Sequence, residues 1–496
     1  MTTEETLSQL YTNVFGVVPE KVLTLAGAGS NRCYYRLTSM NHLGEEVSAI
    51  GTIGTNVDEN RAFVALSNHF VQSGLSVPRV YAVAEDYTAY IQEDLGDVSL
   101  FDAIAQGRST GEFSEDEVCL LERSIRMMVK LHGVGADAID WDWCYPEKAM
   151  DGNMIKFDLN YFKYCFLKLI GIDFSESTLE LELSKLYESL AECAQCANGF
   201  MARDFQSRNV MMRDGEPYLI DFQGGRRGPV EYDVASFLWQ ARASLPQRVR
   251  EHLIDVYIKE ARVVISSFDE SGFRDNLPKF VLFRMLQTLG AYGLRGIHEK
   301  KPHFLSSIPK ALNNLAQHLN VSGLSNDFPY LTEICGRLLC DANVMKLKRQ
   351  IEIPSFEGLT VTVASFSYKK GIPADLSGNG GGFAFDCRAV HNPGRYDEYK
   401  TLTGRDEAVK KFLEDDGEIL TFLSHVYGLV DSSVSRYLKR GFKSLCVNFG
   451  CTGGQHRSVY SAEATARYIA DRFPQVRVVL MHREQNILEI INPKFV

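Results

Sequence analysis

Residues 201–212 read Met-Ala-Arg-Asp-Phe-Gln-Ser-Arg-Asn-Val-Met-Met, residues 218–225 read Tyr-Leu-Ile-Asp-Phe-Gln-Gly-Gly, and residues 231–234 read Glu-Tyr-Asp-Val. Asn209 follows Asp204 by five residues, and Asp221 opens an Asp-Phe-x turn after the apolar run Tyr218-Leu219-Ile220. Phosphoryl transfer needs a carboxylate beside the attacking hydroxyl, a role that falls to Asp204. It also needs Mg2+ on the β- and γ-phosphates, held by an Asp and an Asn, here Asp221 and Asn209. Between them, Asp214-Gly215-Glu216-Pro217 reads as a hairpin turn joining short strands at 209–212 and 218–220, which returns Asp221 to Asn209. Either motif alone is common; the pair, joined by a hairpin and followed by Asp233, is not. Asp233 reads as a brace for the loop rather than a reacting group.

With 496 residues, 45% of them apolar and 23% charged, the chain is long enough for two or three domains with real cores. A net charge of −10 argues against wholesale coating of nucleic acid and leaves room for a local basic patch. No apolar run reaches the ~18 residues of a membrane span. The opening Met-Thr-Thr-Glu-Glu-Thr is acidic and polar, unlike a signal peptide. The eleven cysteines are scattered, which favours free thiols and a cytoplasmic location. Cys193-Ala-Gln-Cys196 has no second cysteine pair near it and lies in a helical pattern, so a packing role outweighs metal or redox use.

Upstream, Leu7, Leu10, Tyr11, Val14 and Phe15 space out one helical face. Leu23 to Leu37 reads as strand, turn, strand, with Gly27-Ala28-Gly29-Ser30-Asn31-Arg32 as the turn. Small residues there let backbone N–H groups approach phosphate oxygens, and Arg32 adds charge; a plain turn is the competing reading. Residues 47–53 form the next strand, and Glu59-Asn60-Arg61 begins a helix whose buried face is Phe63, Leu66, Phe70 and Val71. A strand at 89–92 leads into Glu93-Asp94-Leu95-Gly96, and 116–132 and 158–198 read as helical. Trp141-Asp142-Trp143 suits the edge of a core better than stacking on a sugar. Arg208, Arg226 and Arg227 suit an anionic substrate or a solvated loop equally.

The loop from Ala202 to Asn209 and the Asp221 turn resemble the aminoglycoside phosphotransferase and choline kinase-like superfamily. Within it the likeness is nearest to the anomeric N-acetylmuramate and N-acetylglucosamine kinases, whose loop reads His-Arg-Asp-Phe/Tyr-x-Ser-Arg-Asn. Gly74–Val80, Leu286–Gly293 and Lys300-Lys301-Pro302-His303-Phe304 extend it over most of 1–325. The resemblance implies ATP and Mg2+ as cofactors. Backbone groups of Glu93 and Leu95 would meet the adenine edge, and Ser30, Asn31 and Arg32 would border the phosphates. Two departures stand out. Ala202 takes the place of the His, and the strand Val-Ser-Ala-Ile-Gly-Thr-Ile at 47–53 lacks the lysine that most kinases set against the phosphates.

From 357 the pattern changes. Residues 359–365 alternate as a strand, 383–388 form another after a Gly-rich turn at Gly378–Gly382, and 444–449 run into Gly450-Cys451-Thr452-Gly453-Gly454-Gln455-His456-Arg457-Ser458 and a helix. Strand, Gly-rich loop and helix make a phosphate cradle: backbone N–H groups face an anion that Arg457 can grip bidentately. Phe366–Pro373, Phe385-Asp386-Cys387-Arg388, Gly450–Tyr460 and His482-Arg483 resemble the C-terminal domain of the RapZ RNase-adapter family. That resemblance implies an amino-sugar phosphate site at Cys451, Gly453, Gly454, His456, Arg457 and Ser458, and, less directly, RNA binding. The P-loop motif of the family's own N-terminal domain does not occur here. Cys451-x5-Arg457-Ser458 is also the spacing of Cys-dependent phosphatases, although Gly450 stands where those enzymes carry His.

The expected architecture is an α+β two-lobed protein-kinase-like fold (lobes 1–95 and 96–325), a helical connector (326–356) and a separate small α/β domain (357–496). The expected function is ATP-dependent phosphorylation of the anomeric hydroxyl of N-acetylmuramate or N-acetylglucosamine in cell-wall recycling, with a C-terminal domain that senses a sugar phosphate. The alternative is a regulatory RNA- or protein-binding adapter on a kinase-like scaffold. No membrane partner is expected.

Overall fold

A computed structural model describes residues 3–25, 32–299, 301–341, 344, 356, 358–373, 382–485 and 487–491. Ser30 and Asn31, Lys300, most of the connector at 342–357 and the turn at 374–381 lie outside the described residues. The chain divides into two compact units, Met1–Ala291 with Lys310–Arg337, and Tyr292–Pro309 with Leu338–Val496.

The first unit opens with α1 (Thr3–Phe15) and an antiparallel sheet of β1 (Lys21–Leu25), β2 (Cys33–Met40), β3 (Glu46–Ile53), β4 (Val80–Val83) and β5 (Ala89–Glu93), ordered β1-β2-β3-β5-β4. Leu7 and Tyr11 of α1 pack on Leu37, Ala49 and Ile91, so the helix covers a face the strands cannot bury alone. Between β3 and β4 runs α2 (Val57–Gln72), capped by Asn56, whose side chain accepts from the Glu59 N–H at 3.2 Å. It buries Phe63, Leu66 and Phe70; Val71 is only half-buried.

The helical half contains α3 (Glu115–His132), α4 (Gly152–Phe162), α5 (Glu176–Cys196), α6 (Val230–Leu238), α7 (Gln247–Val264) and α8 (Glu270–Tyr292). A Ser114–Glu117 capping box fixes the start of α3 with bonds of 3.2 and 3.0 Å. Between α5 and α6 lie two strand pairs: β6 (Phe200–Met201) with β9 (Arg226–Arg227), and β7 (Val210–Arg213) with β8 (Glu216–Leu219). The β7–β8 turn is only Asp214-Gly215, with φ of 53° and 78°, so Glu216 and Pro217 belong to the strand. Phe222, next to Asp221, is fully buried; its ring stacks on Phe63 at 4.9 Å and meets Phe70 edge-on at 5.4 Å. Truncating a buried ring of this kind costs about 3–5 kcal/mol. Trp141 stacks on Phe200 at 6.4 Å, the core-edge role. Cys193 lies on α5, where burial pushes its thiol up to about 12, unlike a redox or metal-binding cysteine. Among the described residues no helix is long and apolar enough to cross a membrane.

Glu231, in the first turn of α6, is 7% exposed, and burial, with Asp269 adding to it, pushes its carboxyl up to about 7. The folded protein therefore holds this proton at pH values where the unfolded chain has released it. Stability falls as pH rises from about 4.5 towards 7, and the full cost persists above that. Glu231→Gln keeps the shape without the charge. It should stabilise the first unit by about 1–3 kcal/mol at pH 8 and by nothing measurable at about pH 4. Urea denaturation read by tryptophan fluorescence tests this, since all three tryptophans, Trp141, Trp143 and Trp239, lie in that unit.

Two further helices, α9 (Ile308–Val321) and α10 (Pro329–Cys340), follow in the chain. The second unit carries a mixed sheet of β10 (Thr360–Ser367), β11 (Gly382–Asp386), β12 (Ser444–Cys451), β13 (Arg477–His482) and β14 (Ile487–Ile491), ordered β11-β12-β10-β13-β14. All pairs are parallel except β13–β14. Its helices are α11 (Glu407–Asp416), α12 (Glu418–Arg440) and α13 (Arg457–Arg472). Val361, Val363, Val447 and Phe449 of the central strands join Val430, Val434, Ala462 and Ala466 in one core, the near-continuous apolar pattern that buried parallel strands require. The strand expected to run to Arg388 stops at Asp386, because the Asp386 carboxylate accepts from the Arg388 N–H at 2.9 Å and turns the chain.

Candidate active site and a second anion loop

The structure brings Asp204, Asn209 and Asp221 together. Asn209 Nδ2 donates to the Asp204 carbonyl at 2.9 Å and to Asp221 Oδ2 at 3.4 Å, and the Ile220 N–H reaches the Asn209 carbonyl at 2.9 Å. Arg203 and Asp221 are both left-handed, with φ of 71° and 63°, conformations that persist only when their surroundings hold them. For Arg203 the holder is Asp233. Its fully buried carboxylate accepts from the Ala202 and Arg203 N–H groups at 2.6 and 2.9 Å. His132 lies against it at 3.2 Å and bonds the Tyr257 hydroxyl at 2.8 Å on its other nitrogen. Burial pushes the Asp221 carboxyl up; Gln223, whose amide donates to it at 2.7 Å, pulls it down, Asp204 adds to the rise, and Arg32 and Arg208 oppose it. Such a carboxylate gains from a nearby cation, and the Asp-Asn pair offers the hard oxygen donors that suit Mg2+.

Asp204 is half exposed and accepts from Arg284 Nη2 of α8 at 3.1 Å. Arg284 rests over the Tyr232 ring at 5.4 Å and donates to Ser236 Oγ at 3.2 Å and to the Gln287 side-chain oxygen Oε1. Gln287 in turn donates to Asp158 at 2.6 Å and accepts from the Tyr232 hydroxyl at 2.8 Å. Arg226, read from sequence as facing either substrate or solvent, does neither. It is 1% exposed, its guanidinium bonds the Gly224 carbonyl at 3.1 and 3.2 Å, and burial, with Arg203 nearby, lowers its pKa to about 10.

A cavity of about 450 Å³ opens above this loop, with Ile50, Met211 and Ile220 as apolar walls, the 92–97 segment along one edge and Asn209 and Asp221 at its end. Of the two positions expected to meet adenine, Glu93 has already given its N–H to the Arg79 carbonyl at 2.8 Å. The Leu95 N–H has no hydrogen-bond partner among the described residues. Asp94 stiffens the segment. Burial pushes its carboxyl up, but Arg36, bonded at 2.7 and 3.0 Å, and Ser48, at 2.5 Å, outweigh this and hold it below the usual range.

In the second unit the carboxyl ends of β10, β11, β12 and β13 converge where the strand order switches, the usual place for a ligand in an α/β sheet. Cys451 ends β12; its sulfur accepts the Gly454 N–H at 3.2 Å and lies 3.1 Å from Ser458 Oγ. Gly454 has φ of 68°, and a Cβ there would fall 2.4 Å from Glu484 Cγ and 2.8 Å from the Ser367 nitrogen, so no other residue fits. Gly453 is exposed on the same turn. Two of the six expected residues turn their side chains to backbone carbonyls. His456 Nε2 donates to Tyr399 at 2.8 Å, and Arg457 Nη1 donates to Arg388 and Val390 at 3.0 and 2.7 Å. Arg457 thus ties the helix start to the chain after β11 through Nη1, while its Nε has no partner among the described residues. Sequence reasoning passed over Glu484, which accepts the Ser367 N–H at 3.2 Å and pairs with Lys370 and Arg483 at 2.6 and 3.0 Å. It also passed over Arg284, which no local motif marks, and named Glu59 only as the start of a helix.

Residues 21–266 match the model of the phosphotransferase enzyme family, and residues 359–486 that of the RapZ C-terminal domain. A nucleotide-binding protein of Ruegeria pomeroyi is 39% identical over 146 residues, 29% of this chain and 49% of its own. One of Fervidobacterium nodosum is 32% identical over 199 residues, 38% of this chain and 65% of its own. The chain spans about half the length of the first curated relatives it matches. Among solved structures, choline kinase from Cryptosporidium parvum Iowa II aligns with a TM-score of 0.46 at 14% identity, over 67% of this chain and 99% of that one. The amicoumacin kinase hAmiN in complex with AMP-PNP, Ca2+ and Ami aligns with a TM-score of 0.43 at 14% identity, over 59% and 86%. The chain therefore joins a domain of the phosphotransferase enzyme family to a RapZ C-terminal domain.

Proposed function

We propose that the first unit is an ATP- and Mg2+-dependent kinase acting on the anomeric hydroxyl of N-acetylmuramate or N-acetylglucosamine, and that the second unit binds an amino-sugar phosphate. The meeting of Asp204 with Asn209 and Asp221, the latter two lining the 450 Å³ cavity, carries the first half of this reading. Asp204 takes the proton of the attacking hydroxyl, with Arg284 orienting its carboxylate. The anomeric hydroxyl is the most acidic on a sugar, which suits a carboxylate base. Asn209 and Asp221 would hold Mg2+, which supplies charge neutralisation on the β- and γ-phosphates. Leu95 offers its N–H to adenine. Exposed Arg208 and Arg227 beside the loop suit the carboxylate of N-acetylmuramate. The Cys451–Ser458 turn, with Cys451 ending a strand and Arg457 opening a helix, supports a phosphate ligand in the second unit. An RNA partner has less support, given the net charge of −10. The eleven cysteines are all free, which fits a reducing cytoplasm.

The test is ATP consumption by the full chain with N-acetylmuramate, N-acetylglucosamine or kanamycin, with products identified by phosphorus NMR. A sugar 1-phosphate formed at roughly 1–100 s⁻¹ is the expected result. Turnover with kanamycin alone, or with none of the three, overturns the acceptor assignment. The same sugar phosphate should raise the melting temperature of the second unit.

A further inference from the structure

Most kinases place a lysine on the third strand, against the phosphates and a helix glutamate. Here the β3 residue that lines the cavity is Ile50, and β3 carries no lysine. Three arginines line the cavity instead, Arg32, Arg36 and Arg208. Arg36 is bound to two carboxylates, Asp94 at 2.7 Å and Asp97 at 2.8 Å, beside the adenine-facing segment. Arg208 is exposed. Arg32, immediately before β2, is different: its side chain is 3% exposed, and Nη2 reaches the Glu59 carboxylate at 3.3 Å and the Glu59 carbonyl at 3.2 Å. Its guanidinium carbon lies 5.9 Å from the Phe63 ring centroid. Arg32 and Asp221 line the same cavity.

We propose that Arg32, oriented by Glu59, is the cation that takes the nucleotide's phosphates in place of the missing β3 lysine. This rests on the kinase reading above. The logic is electrostatic. A guanidinium stays charged when buried, and Glu59 offsets the cost of burying it from the capped first turn of α2. A guanidinium is a planar fork of five N–H donors, so one group can hold a carboxylate and a phosphate oxygen together. The cation has moved from β3 to the start of β2, while its glutamate has stayed on the helix after β3. The pair therefore keeps the ion-pair logic of the usual arrangement with a different strand supplying the positive end.

The assignment is tested on the full chain by titrating AMP-PNP with Mg2+, and separately adenosine, into the parent protein, Arg32→Ala, Arg32→Lys and Glu59→Gln. Loss of a charge-assisted bond predicts that Arg32→Ala weakens AMP-PNP binding by about 10–100-fold while adenosine binding stays within about threefold. Arg32→Lys should recover part of the loss, and Glu59→Gln should weaken AMP-PNP alone by about 3–10-fold. Equal weakening of both ligands in Arg32→Ala and Glu59→Gln would show a merely structural role. AMP-PNP binding unchanged in Arg32→Ala would remove the assignment and leave the kinase reading standing. A parent protein that binds no AMP-PNP would remove both.

Discussion

Asp204→Asn should lower kcat for sugar phosphorylation by about 10²–10⁴-fold, the range of a lost general base, with KM for ATP almost unchanged. The substitution preserves volume and the hydrogen bond to the Asp204 backbone carbonyl, which comes from Asn209 and not from the side chain. The Asp204 side chain is 51% exposed, so the fold does not depend on its charge. Steady-state kinetics with each substrate varied in turn, together with an unchanged melting temperature, would establish the role. An enzyme that keeps its kcat would move the proton acceptor elsewhere. The neighbouring Arg284 gives an internal check. Removing it should produce a smaller loss than removing the carboxylate it orients, because orientation is only part of what a base contributes.

Asp221→Asn should be more severe, about 10³-fold or worse at saturating ATP, because metal neutralisation of developing phosphate charge is worth several kcal/mol. This substitution is unusually clean. Asp221 sits at φ of 63°, and asparagine is among the few side chains that tolerate the left-handed region. The backbone can therefore stay in place while the anionic oxygen disappears. Stability should respond in the opposite sense to activity. The surrounding protein and Asp204 push the Asp221 carboxyl up although the residue is exposed to solvent, so the metal-free protein carries at most a modest cost in ionising it at neutral pH, and the asparagine variant escapes that cost. A melting temperature equal to or above the parent's without Mg2+, joined to lost turnover with it, is the expected pair. A lower melting temperature would mean that the carboxylate is a structural member of the loop and that the activity loss is secondary.

Local chemistry was legible from the chain and long-range pairing was not. The Asp204–Asn209 spacing, the two-residue Asp214-Gly215 turn and the strand-loop-helix at Cys451–Ser458 each lie within a dozen residues. Their geometry follows from backbone preferences that neighbouring residues set. Arg284 comes from 80 positions beyond Asp204, and Glu484 from 117 beyond Ser367; neither stands in a pattern that announces its partner. Arg226 and Arg457 show how little a local pattern says about burial. Arg226 suited a substrate or a solvated loop equally, yet it is 1% exposed on the Gly224 carbonyl two residues away, and Arg457 Nη1 meets carbonyls 69 and 67 positions upstream. Burial decides whether an arginine meets a ligand or a main chain, and burial is a property of the whole fold.

Helix α2 holds Glu59 in its first turn and, further along, Phe63 and Phe70, whose rings meet Phe222. Asp221 is the residue next to Phe222, so one rigid element touches both the anchor of Arg32 and the floor beneath the metal ligand. On the proposed reading nucleotide and metal would then be reciprocal ligands: whatever factor one adds to the affinity of the other is returned in full.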